Sequence, residues 1–152
     1  MHIKTLILPL EQDTMRFAEH MAGVLKRGDT VLLSGEIGAG KSAFSRALIR
    51  AKAGAAIEVP SPTFTLVQTY DFDTVEIWHC DLYRLTHPDE VFELGLDEAF
   101  EDAICLIEWP DRLGDTAPQN ALTLHFEARA DGHAVSFSPS AEWVTRLGAY
   151  DV

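Results

Sequence analysis

Lys41 and Ser42 close the run Gly35-Glu36-Ile37-Gly38-Ala39-Gly40-Lys41-Ser42, which has the spacing Gly, four residues, Gly-Lys-Ser. Each part of that spacing has a chemical use. Glycines let backbone N–H groups wrap a polyphosphate, the lysine ammonium reaches its β- and γ-phosphates, and the hydroxyl is a ligand for Mg²⁺. The expected contacts run from Gly35 through Ser42 and on to Ala43. The flanks give the motif the context it needs. Thr30 to Ser34 reads as a buried strand entering the loop, and Ser42 to Ala53 reads as a helix leaving it. These residues imply binding of a nucleoside triphosphate with its metal.

Hydrolysis of such a ligand needs a carboxylate near the metal and a means of placing the attacking water. In open α/β sheets those groups stand at the carboxyl ends of strands. Asp81 ends the apolar run Val75 to Cys80, and Glu108 ends the run Ala103 to Ile107. Both are candidates for a role at the metal, directly or through water. Thr63, in Ser61-Pro62-Thr63-Phe64-Thr65, is either a hydroxyl that senses the γ-phosphate or a structural threonine in a proline-restricted turn. His79 lies two residues before Asp81 on the same strand face and reads as packed rather than as a base. Trp109 reads as core or as the edge of an ordered loop.

The elements that must carry these groups follow from periodicity. Ile3 to Leu8 is an edge strand ahead of Pro9. Met15, Ala18, Met21, Ala22 and Leu25 recur at helical spacing within Asp13 to Arg27, with Asp13 or Thr14 as cap and Gly28 as stop. Phe64 to Tyr70 and Val75 to Cys80 form a hairpin across Asp71 to Thr74. Pro88 to Leu94 is a short helix halted by Gly95, and Asp97 to Phe100 adds a turn. Ala103 to Ile107 has the unbroken apolar character of a strand buried on both faces. A second hairpin around Asp131-Gly132 joins Ala121–Glu127 to Ala134–Phe137, and Ala141 to Ala149 is a last helix. The expected architecture is a single domain over 1–152, a three-layer α/β fold of the P-loop nucleotidase type with a mixed, centrally parallel sheet.

At 152 residues and 47% hydrophobic content the chain can bury a core without staples. Cys80 and Cys105 lie in apolar strand-like runs and outside any Cys-x-x-Cys, so they read as reduced buried thiols of a cytoplasmic protein. No apolar run approaches the ~18 residues of a membrane span, and the first residues lack the pattern of a secretory signal. With 24 acidic against 12 basic residues the net charge is −12, which argues against direct binding of a phosphate backbone.

Five segments taken in order resemble one bacterial family, the TsaE (or YjeE) proteins of tRNA threonylcarbamoyladenosine biosynthesis. They are Gly35 to Ser42, then Ser61-Pro62-Thr63-Phe64-Thr65-Leu66-Val67, then His79-Cys80-Asp81-Leu82-Tyr83-Arg84-Leu85, then Glu93 to Glu98, then Ile107-Glu108-Trp109-Pro110-Asp111-Arg112-Leu113. The resemblance implies a cytoplasmic ATPase using ATP and Mg²⁺, working with TsaD-like and TsaB-like partners. Its hydrolysis would let them install threonylcarbamoyl on N6 of adenosine 37 in tRNAs reading ANN codons. By position Lys41 would hold phosphates and Ser42 and Glu108 would bind Mg²⁺. Asp81 would be the acid on the neighbouring strand, also placed at the metal, and Thr63 would sense the nucleotide. Contacts to adenine and ribose would come partly from Glu11 to Thr14. The family usually has Thr where Ser42 stands, an equivalent metal hydroxyl, and from Gly114 onward nothing distinctive matches.

Three rivals remain on the sequence. A small-molecule kinase of the P-loop class needs a basic lid, yet the eight arginines are spread singly. A GTP-dependent switch would carry Asn-Lys-x-Asp, which does not occur. An adaptor that binds nucleotide only to hold its shape has no distinguishing motif.

Overall fold

Helices alternate with strands along much of the chain, as the periodicity requires of an α/β protein. The computed structural model describes residues 4–36, 39–62, 65–137 and 141–148. In chain order the elements are β1 (Lys4–Leu8), α1 (Glu11–Val24), β2 (Thr30–Gly35), α2 (Lys41–Ala53), β3 (Val67–Phe72) and β4 (Val75–Asp81). They continue with α3 (Glu90–Leu94), α4 (Leu96–Asp102), β5 (Ile104–Glu108), β6 (Leu122–Arg129), β7 (Gly132–Phe137) and α5 (Ala141–Leu147). The strands are mixed in direction, with parallel pairing at β2, β5 and β4. The described residues fall into two compact units, one drawn from 1–24, 34–59 and 122–152, the other from 25–33 and 60–121.

In the first unit β1, β7 and β6 pair antiparallel, Leu6 opposite Val135 and Phe126 opposite Val135 on its other side. The β6–β7 hairpin closes in two residues between Arg129 and Gly132. Gly132 has φ 127°, and a Cβ there would fall 2.7 Å from Pro9 Cα. Helix α1 buries Thr14, Phe17, Ala18, Met21 and Ala22. Phe17 therefore centres the stripe, and Met15, expected to belong to it, is 44% exposed at its edge. Phe17 stacks on Phe137 at 6.4 Å and meets Phe44 of α2 at 5.5 Å, while Phe44 meets Phe126 at 5.4 Å. Such aromatic contacts add about 0.5–1.5 kcal/mol each beyond area burial. The helix begins at Glu11 rather than Asp13. Leu10 occupies the cap position, and Asp13, at the third helical position, accepts the Leu10 N–H at 2.9 Å. That is the return half of a capping box, so the acid acts from inside the first turn.

In the second unit β2 pairs parallel with β5, β5 parallel with β4, and β4 antiparallel with β3. Every residue of β5 is buried, as its unbroken apolar run demands. Ile107, Cys80, Leu82, Val91, Leu96 and Leu113 belong to one apolar cluster, and full burial of each large aliphatic contributes roughly 1.5–3 kcal/mol. The first hairpin is tighter than expected: Asp71 and Phe72 stay in register with Glu76 and Val75, leaving only Asp73-Thr74 as turn. Gly95, at φ 82°, both ends α3 and starts α4, which runs for seven residues where one turn was anticipated. A 3₁₀ segment over Pro110–Thr116, broken at Gly114, was not anticipated; Leu113 anchors it with 0% exposure.

Among the described residues no helix is long and apolar enough to cross a membrane. Cys80 and Cys105 are free buried thiols, as expected. Burial pushes the Cys105 thiol from its ordinary value of 9.0 up to about 12, and pushes Cys80 well above that ordinary value too. A raised folded-state pKa gives stability that is complete below the unfolded value and is lost as pH climbs towards the folded one. Between pH 9.0 and about 12 the protein should lose up to ~1.4 kcal/mol per pH unit through Cys105, because only the unfolded thiol ionises there. Urea titrations of the wild type and Cys105→Ala across that range check this: the variant should have the flatter alkaline limb.

Candidate nucleotide-binding site

Strand β2 delivers the chain to Gly35, whose φ is 126°. A Cβ at this position would lie 2.2 Å from the Phe126 carbonyl oxygen of β6, so both conformation and close approach require glycine. Ala39, 0% exposed, donates its N–H to the Glu36 carbonyl at 3.1 Å, and Gly40 enters α2 with φ 108°. Among the described residues no side chain caps α2, and its first turn carries no acidic residue. Uncapped first-turn N–H groups and the positive end of a helix dipole are of a kind that suits an anion.

Lys41, the first residue of that helix, is only 6% exposed, and its Nζ donates to the Gly35 carbonyl at 2.7 Å. Ser42 is exposed and Ala43 half-buried, so both stand at the mouth of the helix. Thr14 is 2% exposed within α1. Ile37 and Gly38, the middle of the predicted loop, lie outside the described residues. His133 of β7, which has no place in the sequence motif, brings its ring to 3.7 Å from where a Cβ on Gly40 would sit. No local signal could have found it, since it arrives through β6–β7 pairing.

The second unit holds the acids. Asp81 closes β4 and Glu108 closes β5, and the two stand in register. Glu108 is also in register with Leu33 of β2, two residues before Gly35 in the chain. Both acids are largely buried, at 8% and 7% exposure. Asp81 Oδ1 accepts the Tyr83 N–H at 3.0 Å, an Asx turn that fixes its carboxylate at the strand end. Glu108 Oε2 lies 3.0 Å from His79 Nε2, so the histidine read as packed is also bonded to a candidate acid. Trp109 adopts φ 58°, packs on the apolar cluster and places its ring 4.8 Å from Tyr83. Thr63 lies outside the described residues.

In the first unit the glycine turn, buried ammonium and uncapped helix start are of a kind that suits phosphates, and the Ser42 hydroxyl suits a hard cation. In the second unit the Asp81 and Glu108 carboxylates are also of a kind that suits a hard cation. Among the described residues no group of three or more His, Cys, Asp or Glu could cage a metal. Mg²⁺ needs no such cage, because phosphates and water supply most of its ligands.

Gly35→Ala should destabilise the protein by on the order of 2 kcal/mol or more, through strain and overlap with Phe126. Gly54→Ala, at φ 68° with nothing within 4 Å of its Cβ among the described residues, should cost only about 1 kcal/mol. Thermal unfolding of the two variants tests the difference.

Residues 8–135 match the family model "Threonylcarbamoyl adenosine biosynthesis protein TsaE". The chain is 40% identical over 125 residues to the tRNA threonylcarbamoyladenosine biosynthesis protein TsaE of Rickettsia bellii, covering 82% of this chain and 87% of that one. It is 45% identical over 106 residues to the protein of the same name from Rickettsia felis, covering 70% of this chain and 62% of the relative. Among solved structures it is similar to Bacillus subtilis YdiB, with TM-score 0.72 and 24% identity over 96% of this chain and 90% of the other. That last likeness bears on the fold.

Proposed function

Because the chain belongs to the TsaE family of threonylcarbamoyl adenosine biosynthesis proteins, we propose that it binds and hydrolyses Mg-ATP in the machinery that forms threonylcarbamoyladenosine at position 37 of tRNAs reading ANN codons. The observation that carries the nucleotide assignment is Lys41, buried at the uncapped N-terminus of α2 and held by Gly35. Its ammonium and the first-turn N–H groups grip the phosphates. When bound, Mg²⁺ neutralises charge that develops on the β- and γ-phosphates. Ser42 offers it a hydroxyl and Glu108 a carboxylate oxygen. Asp81, pinned by the Tyr83 N–H, stands at the neighbouring strand end to orient water or a metal-bound water. Thr63 belongs to the segment that senses the nucleotide.

The protein works in the cytoplasm with TsaD-like and TsaB-like partners, whose transferase turns over repeatedly because of its hydrolysis step. A net charge of −12 supports leaving tRNA to those partners, since an acidic surface repels a phosphate backbone and steers towards basic protein patches. Hydrolysis by the isolated chain is slow, as in switches that need a partner to complete the site.

Lys41→Ala should weaken ATP binding about 100-fold, roughly 2.7 kcal/mol. Glu108→Ala should keep affinity for ATP measured without Mg²⁺ within a few-fold while turnover with the partners collapses. Equal loss of affinity in both variants contradicts this division of roles. For the pathway, depletion of the protein should strip threonylcarbamoyladenosine from bulk tRNA; an unchanged nucleoside content would remove the pathway assignment.

A further inference from the structure

His79 is a buried polar side chain with an unusual distribution of partners. It sits on β4, two residues before Asp81, and is 3% exposed. Its Nε2 lies 3.0 Å from Glu108 Oε2. The register sets His79 opposite Leu106, so its contact with Glu108 is the diagonal one, which long side chains can span. The other ring nitrogen, Nδ1, is buried with no hydrogen-bond partner among the described residues.

A carboxylate oxygen accepts, so Nε2 must carry the hydrogen. Leaving a lone pair unmet at Nδ1 costs less than burying an orphaned N–H there. The ring is therefore the Nε2–H tautomer, with its one donor aimed at one oxygen of Glu108. A histidine kept for packing would have little reason to accept an unmet nitrogen in the core, because an apolar ring of similar volume would fill the space at lower cost. The bond to Glu108 is what the residue contributes.

We propose that His79 is a positioning residue for Glu108. Its Nε2–H holds Oε2, restricts the rotamers of the carboxylate and leaves Oε1 as the oxygen free for Mg²⁺. This rests on the reading of Glu108 as a ligand of the nucleotide-bound metal. Carboxylates that bind metals are commonly held in this way, and loss of the holding partner lowers metal affinity 10–100-fold.

The test uses the full chain with ATP, reading the thermal stabilisation of the protein as Mg²⁺ is varied. His79→Phe keeps the ring volume and removes the donor, whereas His79→Gln returns an N–H near the position of Nε2. Stabilisation by ATP without Mg²⁺ should be the same in all three proteins. The Mg²⁺ concentration for half-maximal stabilisation should rise about 10–100-fold in His79→Phe and return to within about threefold of wild type in His79→Gln. A wild type that responds to Mg²⁺ and a His79→Phe that responds identically overturn the positioning role alone. A wild type indifferent to Mg²⁺ overturns the metal reading of Glu108 and this role with it. Should His79→Phe not fold, ¹⁵N NMR of the wild-type ring decides: an Nε2–H tautomer whose resonances move on adding Mg²⁺ with ATP supports the role, and an Nδ1–H tautomer overturns it.

Discussion

A buried ammonium at the positive end of a helix is an arrangement that a fold must stabilise against its own electrostatics. Lys41 is that ammonium, 6% exposed at the first residue of α2. Repulsion between it and the half-charge of the helix terminus is on the order of 1–2 kcal/mol at an effective dielectric near 20. The Gly35 carbonyl offsets part of it through the 2.7 Å hydrogen bond. An acidic cap would have been the ordinary remedy, yet the first turn has none. The proposed occupant of this positive end is the anionic tail of a nucleotide. Gly35 can supply its carbonyl only because it adopts φ 126° under the Phe126 backbone, where no side chain fits. The aromatic contacts among Phe17, Phe44 and Phe126 fix the helix and strand on which this depends.

The second unit solves a different problem, how to bury two carboxylates at strand ends and keep them usable. Parallel pairing of β4 with β5 puts Asp81 and Glu108 in register, and each receives a specific donor, the Tyr83 amide for one and the His79 ring for the other. Burial strengthens those bonds and excludes competing water. The apolar cluster beneath, from Cys80 to Leu113, provides the rigid support that such positioning needs.

Local sequence announced the strand and helix on either side of the Gly35–Ser42 run, with Gly35 and Gly40 at positive φ, and it announced β5, because an unbroken apolar run has few other uses. The two hairpins were legible from their polar turns, though both proved tighter than expected. What escaped depends on tertiary neighbours. The choice of Phe17 over Met15 at the centre of α1 reflects the aromatic cluster it joins. The cap at Leu10 relies on Asp13 reaching backwards, and the 3₁₀ segment on Leu113 finding the core. The His79–Glu108 bond needs the strand register, and the approach of His133 to Gly40 needs the β6–β7 hairpin.

The proposed role of the backbone and ammonium around Gly35 and Lys41 is to bind the phosphates of Mg-ATP. Isothermal titration calorimetry of the folded wild-type chain with Mg-ATP tests it most directly. Saturable binding of one nucleotide per chain, abolished by inorganic competitors of the triphosphate tail such as tripolyphosphate, is the predicted result. No heat on titration across temperatures and no rise in melting temperature on adding Mg-ATP would contradict it.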